Sequence, residues 1–377
     1  MKFPKLETIE QSAIRRIYQK ARSDSIDLGL GMPFSTTPDE VKRAATEAIE
    51  NDKTFYTTNQ GLLPLREMIA SRYSEEKGID LNSENVIINI GVAQAIFQSM
   101  FSVLEKGDEV LIPDPGYPAF INIAKMLGAK PIAYPLYLEN DFSLAARDLI
   151  PKITKKTKLV VLNSPGNPTG GIHRQEELEA LVFHLKNTHI AILSDEVYSH
   201  LNYDDKPFPA PVHTIPLDRL IILSGVSKEF AMTGWRIGWT ISTKENISEL
   251  LKTHLYMVSC ASAISQHAAL YALQSHNIET HRAMKDNHKI IVQGLEQIPK
   301  IRYMVPQAGI YFFVDVSDYG EAVDLAYEIL EKVNVLTIPG SAFGVNGKNF
   351  LRLSFGAPPH ALEKGMDQLK KFFQSRR

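Results

Sequence analysis

Five short aliphatic runs in the middle of the chain constrain its fold most. They cover residues 86–90, 109–112, 159–162, 190–193 and 220–223. Each run is almost continuously apolar and rich in β-branched residues, whereas a strand with one solvent-exposed face would alternate apolar and polar side chains. The pattern therefore predicts an α/β fold, in which helical crossovers connect the strands of a parallel sheet that is buried on both faces.

The chain beyond this sheet predicts a second, smaller α+β domain. A helix-rich stretch begins near residue 264. Further strands are predicted at 309–314 and 350–355, with a helix at 322–333 between them. The predicted division gives a large domain and a small domain, at 46–264 and at 1–45 with 265–377.

Two helices are predicted before residue 46. Ile9, Ile14 and Ile17 recur at nearly helical spacing among charged residues, which predicts a helix within the first 25 residues. A second helix is predicted to begin at Pro38 with Thr37 as its N-cap, because proline is favoured at the first helical position and threonine just before it.

Composition limits the partners and the compartment. The 377 residues carry a formal net charge of −2, so no excess of positive charge indicates nucleic acid or an anionic membrane. No apolar stretch approaches the roughly 20 residues that span a bilayer, and the first residues lack the apolar core of a signal peptide, so we expect a cytoplasmic protein. Cys260 is the only cysteine, which excludes an intrachain disulfide. No metal site is predicted, since His281 and His288 lie among charges and are interpreted as a solvated helix face.

Polar residues follow each of the five strands, at the edge of a parallel sheet where ligands bind. Together they comprise a helix start, two tyrosines, an asparagine, an aspartate, a lysine and an arginine. In chain order these are Gly91-Val92-Ala93, Tyr117, Asn167, Asp195, Tyr198, Lys228 and Arg236.

This combination suits the chemistry of a phosphorylated pyridine aldehyde. A lysine amine condenses with an aldehyde to form a Schiff base. A buried aspartate keeps a pyridine nitrogen protonated, so that the ring withdraws electrons. Backbone N–H groups at a helix N-terminus and an arginine bind phosphate. The residues thus predict a pyridoxal-phosphate enzyme with Lys228 as the Schiff-base lysine.

The motifs around these residues also resemble a known family. The chain resembles the class I/II aminotransferases among the fold-type I pyridoxal-phosphate enzymes, closest to the bacterial aspartate and aromatic aminotransferase branch. The resemblance covers nearly the whole chain in the family's order. It is carried by residues 31–38, 56–61, 91–95, 113–118, 163–170, 195–198, 227–238, 339–344 and 352–355.

The resemblance implies a role for each polar residue. Lys228 would carry the cofactor and then move a proton, and Asp195 would pair with the ring nitrogen. Asn167 and Tyr198 would bind the ring's phenolic oxygen. The remaining cofactor contacts implied are stacking by Tyr117 and phosphate binding by Arg236 and the N–H groups of Val92 and Ala93.

The resemblance also implies a substrate site and a dimer. Arg352 would hold the substrate α-carboxylate, helped by Asn167 and the backbone of Gly31. Tyr56 would reach the phosphate in the neighbouring subunit, which implies a homodimer with shared active sites. The fold implied is a large pyridoxal-phosphate-binding domain with a mostly parallel sheet, plus a smaller α+β domain.

Two positions depart from the family pattern. Many relatives carry serine three residues before the lysine, where this chain has Gly225, so either Ser224 or Ser227 is a candidate for the phosphate contact. An acidic Gly-Glu-Pro-Asp motif is common near the N-terminus of relatives, whereas this chain reads Gly-Met-Pro-Phe at residues 31–34. The identity of the amino donor is therefore left open.

The favoured function is transfer of an amino group between an L-amino acid and a 2-oxo acid by a ping-pong mechanism, with 2-oxoglutarate as the expected acceptor. One alternative is another reaction on the same fold, either a C–S β-lyase or a cyclopropane-forming synthase. A non-catalytic pyridoxal-phosphate-binding regulator is a second alternative. A Ser–Lys hydrolase built on Ser227 or Ser224 is a third, but it leaves Asp195, Asn167 and Arg352 without roles.

Overall fold

The computed structural model describes residues 7, 9, 12–204, 208–275 and 278–376. Its strands are β1 (Ile26–Asp27), β2 (Val86–Asn89), β3 (Glu109–Asp114), β4 (Lys130–Pro135), β5 (Thr157–Asn163), β6 (Ala191–Asp195), β7 (Leu220–Gly225), β8 (Gly238–Ile241), β9 (Arg302–Tyr303), β10 (Tyr311–Asp315), β11 (Val335–Leu336), β12 (Ile338–Pro339) and β13 (Phe350–Ser354). Its α-helices are α1 (Ala13–Tyr18), α2 (Asp39–Glu50), α3 (Leu63–Lys77), α4 (Gly91–Val103), α5 (Pro118–Met126), α6 (Ala146–Leu149), α7 (Gln175–Leu185), α8 (Val226–Glu229), α9 (Lys244–Val258), α10 (Ala263–Gln274), α11 (Glu279–Leu295), α12 (Ala322–Val333) and α13 (Pro359–Gln374).

A seven-stranded sheet forms the centre of the molecule, in the order β2-β8-β7-β6-β5-β3-β4. The neighbouring strands pair in parallel except β8, which runs antiparallel to both β2 and β7. Residues along one strand pack alternately into two apolar clusters, as Leu111 does into one and Val110 and Ile112 do into the other. The predicted mostly parallel α/β sheet, buried on both faces, is confirmed.

Two strands of this sheet were not predicted. Pro131 and Pro135 interrupt β4, which is tolerated because β4 lies at the edge of the sheet. β8 is only four residues long, and its sequence was interpreted as part of the motif that follows Lys228.

Smaller sheets lie next to the central one. β12, β13, β10 and β9 form an antiparallel sheet, in which Phe313 of β10 faces Arg352 of β13. The predicted strands near 309–314 and 350–355 are confirmed. β1 pairs in parallel with β11, which fixes the segment after α1 beside this sheet. The predicted domain division stays a prediction. Its two boundaries, at residues 46 and 264, fall within α2 and α10, and these two helices pack against each other.

The predictions for the N-terminal segment were partly wrong. Among those of residues 1–25 that the structure describes, only α1 is helical. Residues 1–6, 8, 10 and 11 lie outside the described residues. α2 begins at Asp39 and not at Pro38, and Thr37 makes no capping bond. Instead, the Thr37 hydroxyl donates to the carbonyl of Ala231 (3.1 Å) and accepts from the Trp235 indole N–H (2.9 Å). Thr37 thus ties the start of α2 to the chain just after Lys228.

The interpretation of His281 and His288 as a solvated face was also wrong. Both are half-buried, and their Nε2 atoms contact the backbone carbonyls of Asn202 and Pro306. Both rings also pack on Tyr203, with centroids 5.9 Å and 5.1 Å from its ring. Within the described ranges, no group of three or more His, Cys, Asp or Glu side chains is arranged so that it could hold a metal ion, and no helix is long and apolar enough to cross a bilayer.

Candidate active site

A cavity of about 340 Å³ opens where the strands of the central sheet end. Every predicted site residue except Tyr56 lines it. Those residues are Gly31, Val92, Ala93, Tyr117, Asn167, Asp195, Tyr198, Ser227, Lys228, Arg236 and Arg352. Tyr56 is 89% exposed and lies outside the lining of this cavity.

Lys228 lies in the one-turn helix α8, which begins directly after β7. Its amine donates to the carbonyl of Gly31 and lies 5.9 Å from the ring centroid of Tyr198. Burial lowers the pKa of Lys228, and the nearby guanidinium groups of Arg352 and Arg236 act in the same direction. A lowered pKa increases the fraction of neutral amine, the form that attacks an aldehyde.

Asp195 is the last residue of β6 and is buried. Its Oδ1 accepts a hydrogen bond of 3.3 Å from the backbone N–H of Val197. Burial raises the pKa of Asp195 to about 7, against the effects of that bond and of Lys228. A cationic partner would favour the ionised carboxylate, so this site suits a protonated ring nitrogen.

The start of α4 and the side chain of Arg236 form an anion-binding corner. Gly91 has a φ of +69°, and a Cβ at this position would lie 2.5 Å from Nη2 of Arg236. The guanidinium therefore packs directly on the first turn of the helix. It is held there by a hydrogen bond of 2.8 Å from Nη1 to the carbonyl of Thr233. Val92 and Ala93 follow Gly91 in the first turn of α4, whose N–H groups suit a phosphate.

The two candidate serines near Lys228 lie on different sides of the chain. Ser227 lines the cavity, whereas Ser224 lines a separate small pocket behind it. The Ser224 hydroxyl is buried and has no hydrogen-bond partner among the described residues. A Cβ at Gly225 would lie 2.9 Å from the Cα of Gly238 and from the carbonyl oxygen of Ile237, so a serine there would require β8 to move.

Arg352 forms the opposite wall of the cavity from β13 and is 4% exposed. Its Nη1 donates to Oδ1 of Asn167 (3.1 Å), and its Nη2 donates to the carbonyl of Gly29 (2.5 Å). The guanidinium also lies over the rings of Tyr311 and Phe343, 4.3 Å and 4.7 Å from their centroids. A buried guanidinium held in one orientation is well suited to bind a carboxylate through two parallel hydrogen bonds.

Tyr311 lines the cavity but was not predicted as a site residue. Its hydroxyl lies 3.1 Å from that of Tyr198, and its ring packs on Arg352. Gly31 allows this approach, because a Cβ there would collide with the Tyr311 hydroxyl. In the sequence, Tyr311 is one aromatic residue among several in a core strand, so no local signal distinguished it.

Tyr18 also lines the cavity without having been predicted, and Asp27 holds it in place from behind. The Tyr18 hydroxyl lies 2.9 Å and 3.0 Å from the two carboxylate oxygens of Asp27, which also accepts from the backbone N–H of Gly29 and Leu30. Burial raises the pKa of Tyr18 far above its usual range, so the hydroxyl remains a donor. This network fixes α1 and the segment that carries Gly29 and Gly31 over the cavity.

The residues present fit pyridoxal phosphate. The cavity volume lies within the usual range for small-ligand sites of roughly 300–1,000 Å³. It brings together an amine, a buried carboxylate, an aromatic ring and a glycine–arginine corner in one place. Lys228, Asp195, Tyr117 and Arg236 supply these four groups.

Comparison with known proteins identifies the family. The family model described as "Aminotransferase class I and II" matches residues 23–369. A probable aspartate aminotransferase of Methanocaldococcus jannaschii is 35% identical over 377 residues, covering 98% of each chain. An aspartate aminotransferase of Pyrococcus horikoshii is 35% identical and covers 96% of this chain and 95% of its own.

Solved structures agree with this result. The aspartate aminotransferase of Thermotoga maritima is similar with a TM-score of 0.94 at 30% identity, over 99% of this chain and 100% of that one. The chain therefore belongs to the aminotransferase class I and II family, and it is a fold-type I, pyridoxal-phosphate-dependent aminotransferase.

Proposed function

We propose that this aminotransferase binds its cofactor through Lys228 and its substrates through Arg352. The observation that carries the proposal is that the amine of Lys228, the carboxylate of Asp195 and the guanidinium of Arg352 line one cavity. The cofactor, when bound, supplies an electron-withdrawing ring and a carrier for the amino group.

Each side chain then has a separate task. Lys228 holds the cofactor and afterwards moves a proton between the substrate α-carbon and the cofactor, since its lowered pKa suits an acid–base role. Asp195 keeps the ring nitrogen protonated. Asn167 and Tyr198 bind the phenolic oxygen, and Tyr117 stacks on the ring. The phosphate is held by Ser227, Arg236 and the N–H groups of Val92 and Ala93.

The substrate binds at the wall of the cavity opposite Lys228. The two terminal nitrogens of Arg352 bind the α-carboxylate, with Asn167 holding the guanidinium in place and the backbone at Gly31 closing the site. Every amino acid and 2-oxo acid has this carboxylate, so one site serves both half-reactions. We propose 2-oxoglutarate as the amino acceptor.

A single-turnover experiment tests this reaction. Holoenzyme is mixed with one amino acid and no acceptor, across a panel of donors. The proposal predicts about one equivalent of the 2-oxo acid per site and no ammonia, because the amino group stays on the cofactor. Continued release of ammonia with pyruvate would contradict it and would indicate a β-lyase. Addition of 2-oxoglutarate should then restore the starting spectrum and yield glutamate.

We also propose a cytoplasmic homodimer with shared sites. Phe55, Tyr56 and Tyr256 are 79%, 89% and 89% exposed, and a hydrogen bond of 2.9 Å from Asn59 to the carbonyl of Ser259 joins the two segments that carry them. Grouped exposed aromatic residues are typical of protein interfaces. Tyr56 would then contact the cofactor phosphate of the partner subunit.

Hybrid dimers test the shared site. Lys228→Ala subunits are mixed with Tyr56→Ala subunits, so that in each hybrid one site carries both defects and the other carries neither. The proposal predicts wild-type cofactor affinity at one site per hybrid dimer, measured by titration, whereas the Tyr56→Ala homodimer binds the cofactor more weakly. Weak binding in the hybrid as well would show that Tyr56 acts within its own subunit. A monomer in sedimentation would contradict the dimer itself.

A further inference from the structure

A second, small pocket of about 20 Å³ lies behind the wall that carries Lys228 and Asp195. Four charged side chains gather beside it, two from α3, one from the turn after β6 and one from the end of α8. We call this group the ion network: Arg72, Glu76, His200 and Glu229.

Arg72 connects the two carboxylates of the ion network. Its Nε donates to Glu76 (2.8 Å), and its Nη2 donates to Glu229 (2.6 Å). His200 completes the network from the other side. Its Nε2 lies 3.0 Å from Oε2 of Glu76, and its Nδ1 lies 3.4 Å from Oε2 of Glu229, as an ionic contact. The side chain of Glu229 is only 15% exposed.

The position of Glu229 gives the network its significance, because Glu229 directly follows Lys228. Helix α8 is a single turn of four residues, and Ala231 beyond it has a φ of +52°. A helix this short has few backbone hydrogen bonds of its own, so side-chain contacts must fix its orientation. The bond between Arg72 and Glu229 fastens this turn to α3, a helix of fifteen residues.

His200 fastens a second active-site segment to the same helix. It lies two residues after Tyr198, whose hydroxyl lines the cavity. One network therefore joins the turn of Lys228 and the turn of Tyr198 to a common support. It touches neither the cavity nor any group in it.

The charges within the network balance when His200 is protonated. Burial acts to lower the pKa of His200, but Glu229 and Glu76 outweigh it and raise that pKa. Burial acts to raise the pKa of Glu76, but its bonds with His200 and Arg72 lower that pKa to about 2. The other charged groups facing this pocket are Glu196 and Lys77.

Stability alone does not account for such a network. Removing charges from water is costly, and well-packed apolar residues often stabilise a protein as much or more. Fixing the relative geometry of two active-site segments is a role that apolar packing fulfils less specifically, because hydrogen bonds impose both distance and direction.

We infer that the ion network is a positioning device, which holds Lys228 and Tyr198 in a fixed relation to each other by binding both of their turns to α3. The inference rests on the proposed roles of those two residues. Arg72 and Glu229 position Lys228, and Glu76 and His200 position Tyr198. None of the four contacts substrate or cofactor.

Replacement of one carboxylate tests the inference. In Glu229→Gln, we expect kcat to fall about tenfold with KM changed less than about twofold, since misplacing a reacting group by a fraction of an ångström lowers the rate without removing a binding contact. In the cofactor-free protein, amide hydrogen exchange across residues 196–200 and 226–230 should become about tenfold faster. Arg72→Lys, which keeps the charge but cannot bind both carboxylates in the same way, should lose less activity than Arg72→Met.

Glu328→Gln is the matched control. Glu328 also accepts from two cations, Lys332 (2.7 Å) and Arg376, but it lies on α12 away from the cavity. Its substitution should leave kcat and the exchange of both active-site segments unchanged.

Two results would overturn the inference. One is wild-type kcat and exchange in Glu229→Gln. The other is a variant that melts at a lower temperature but keeps wild-type kcat and wild-type amide exchange at temperatures where it is folded. That result would show that the network is purely structural. Lys228→Ala separates this failure from that of the proposed function, because an active Lys228→Ala variant would contradict the proposed role of the lysine whatever Glu229→Gln shows.

Discussion

The active-site cavity and the small pocket behind it share one wall, but the polar groups on the two sides of that wall have different partners. Neighbouring residues lie on opposite sides of it: Asp195 and Lys228 line the cavity, whereas Glu196 lines the small pocket and Glu229 contacts Arg72 beside it. Both sides therefore hold a buried or largely buried carboxylate at the end of a strand or turn.

The difference lies in the groups that contact each carboxylate. Glu196 accepts from the hydroxyls of Ser194 (2.9 Å) and Tyr73 (3.1 Å), and Glu229 contacts two cationic side chains, Arg72 and His200. The carboxylate of Asp195 is contacted by one backbone N–H at 3.3 Å among the described residues, and by no side chain. A buried carboxylate without a side-chain partner is costly unless a ligand completes its shell. Burial is common to the acids at this wall, whereas the lack of a side-chain partner sets Asp195 apart and supports its proposed role.

The largest contrast is expected between the two adjacent acids. Asp195→Asn keeps the shape of the side chain but removes the charge that we propose to face the ring nitrogen, so kcat should fall by a factor of about 10²–10³. Glu196→Gln should instead lower the melting temperature and leave kcat within about twofold, because the hydrogen bonds to that carboxylate from described residues come from Ser194 and Tyr73, which lie outside the cavity lining. Steady-state kinetics and thermal unfolding of both variants check this. Equal losses of kcat would remove the distinction.

Arg352 and Arg72, which lie on opposite sides of this wall, provide the next contrast. Arg352→Lys loses the forked pair of donors, and we expect KM for the amino acid to rise about 10- to 100-fold, the equivalent of one or two charge-assisted hydrogen bonds. Arg72→Lys should leave KM nearly unchanged, since the partners of Arg72 among the described residues are Glu76 and Glu229, which lie outside the cavity lining. Initial-rate measurements with saturating acceptor separate the two. A raised KM in Arg72→Lys would show that the two sides are not independent.

The two candidate serines, one on each side of the wall, provide a contrast with a smaller expected effect. Ser227→Ala should weaken cofactor binding about tenfold, the value of one hydrogen bond to a charged group. Ser224→Ala should leave cofactor affinity unchanged, because Ser224 lines the small pocket behind the cavity and not the cavity itself. Equilibrium titration of the cofactor-free variants gives both constants. Weaker binding in Ser224→Ala alone would reverse the assignment.

The smallest effect is expected in the pH dependence of stability. The pKa of His200 is raised above its ordinary value of 6.5. Its contribution to stability is thus complete below pH 6.5 and is lost as the pH rises through the higher folded value. In His200→Gln, the decline of the unfolding free energy above pH 6.5 should be shallower than in the wild type. Urea unfolding of the cofactor-free proteins across this range measures it, and identical slopes would contradict a charged His200.

Much of the site could be predicted because its residues follow recognisable strands. Asp195 and Lys228 come directly after aliphatic runs, and parallel strands bring their carboxyl ends to one edge of a sheet. Tyr311 and Tyr18 could not be predicted, since they enter the cavity from β10 and α1 through long-range packing with no local motif. Thr37 carried a capping signal, but its hydroxyl contacts Ala231, almost two hundred positions away.

The prediction of the strands had the same limit, because it depended on local patterns. Continuous β-branched runs predicted the buried strands, but the edge strand β4 contains prolines and the antiparallel β8 is short. The ion network could not be predicted from the sequence either, because no local pattern distinguishes Glu229 and His200 from other polar residues next to a motif. Arg72, the partner of Glu229, lies 157 positions from it in the chain.

Reduction of the holoenzyme tests the role of Lys228 most directly. Borohydride converts a Schiff base into a stable secondary amine, which survives proteolysis and can be located by mass spectrometry. We predict that the mass of the reduced cofactor is found on the peptide containing Lys228, and that Lys228→Ala incorporates none and loses the visible absorbance band. Incorporation at a different lysine, with Lys228 unmodified in active enzyme, would contradict the assignment.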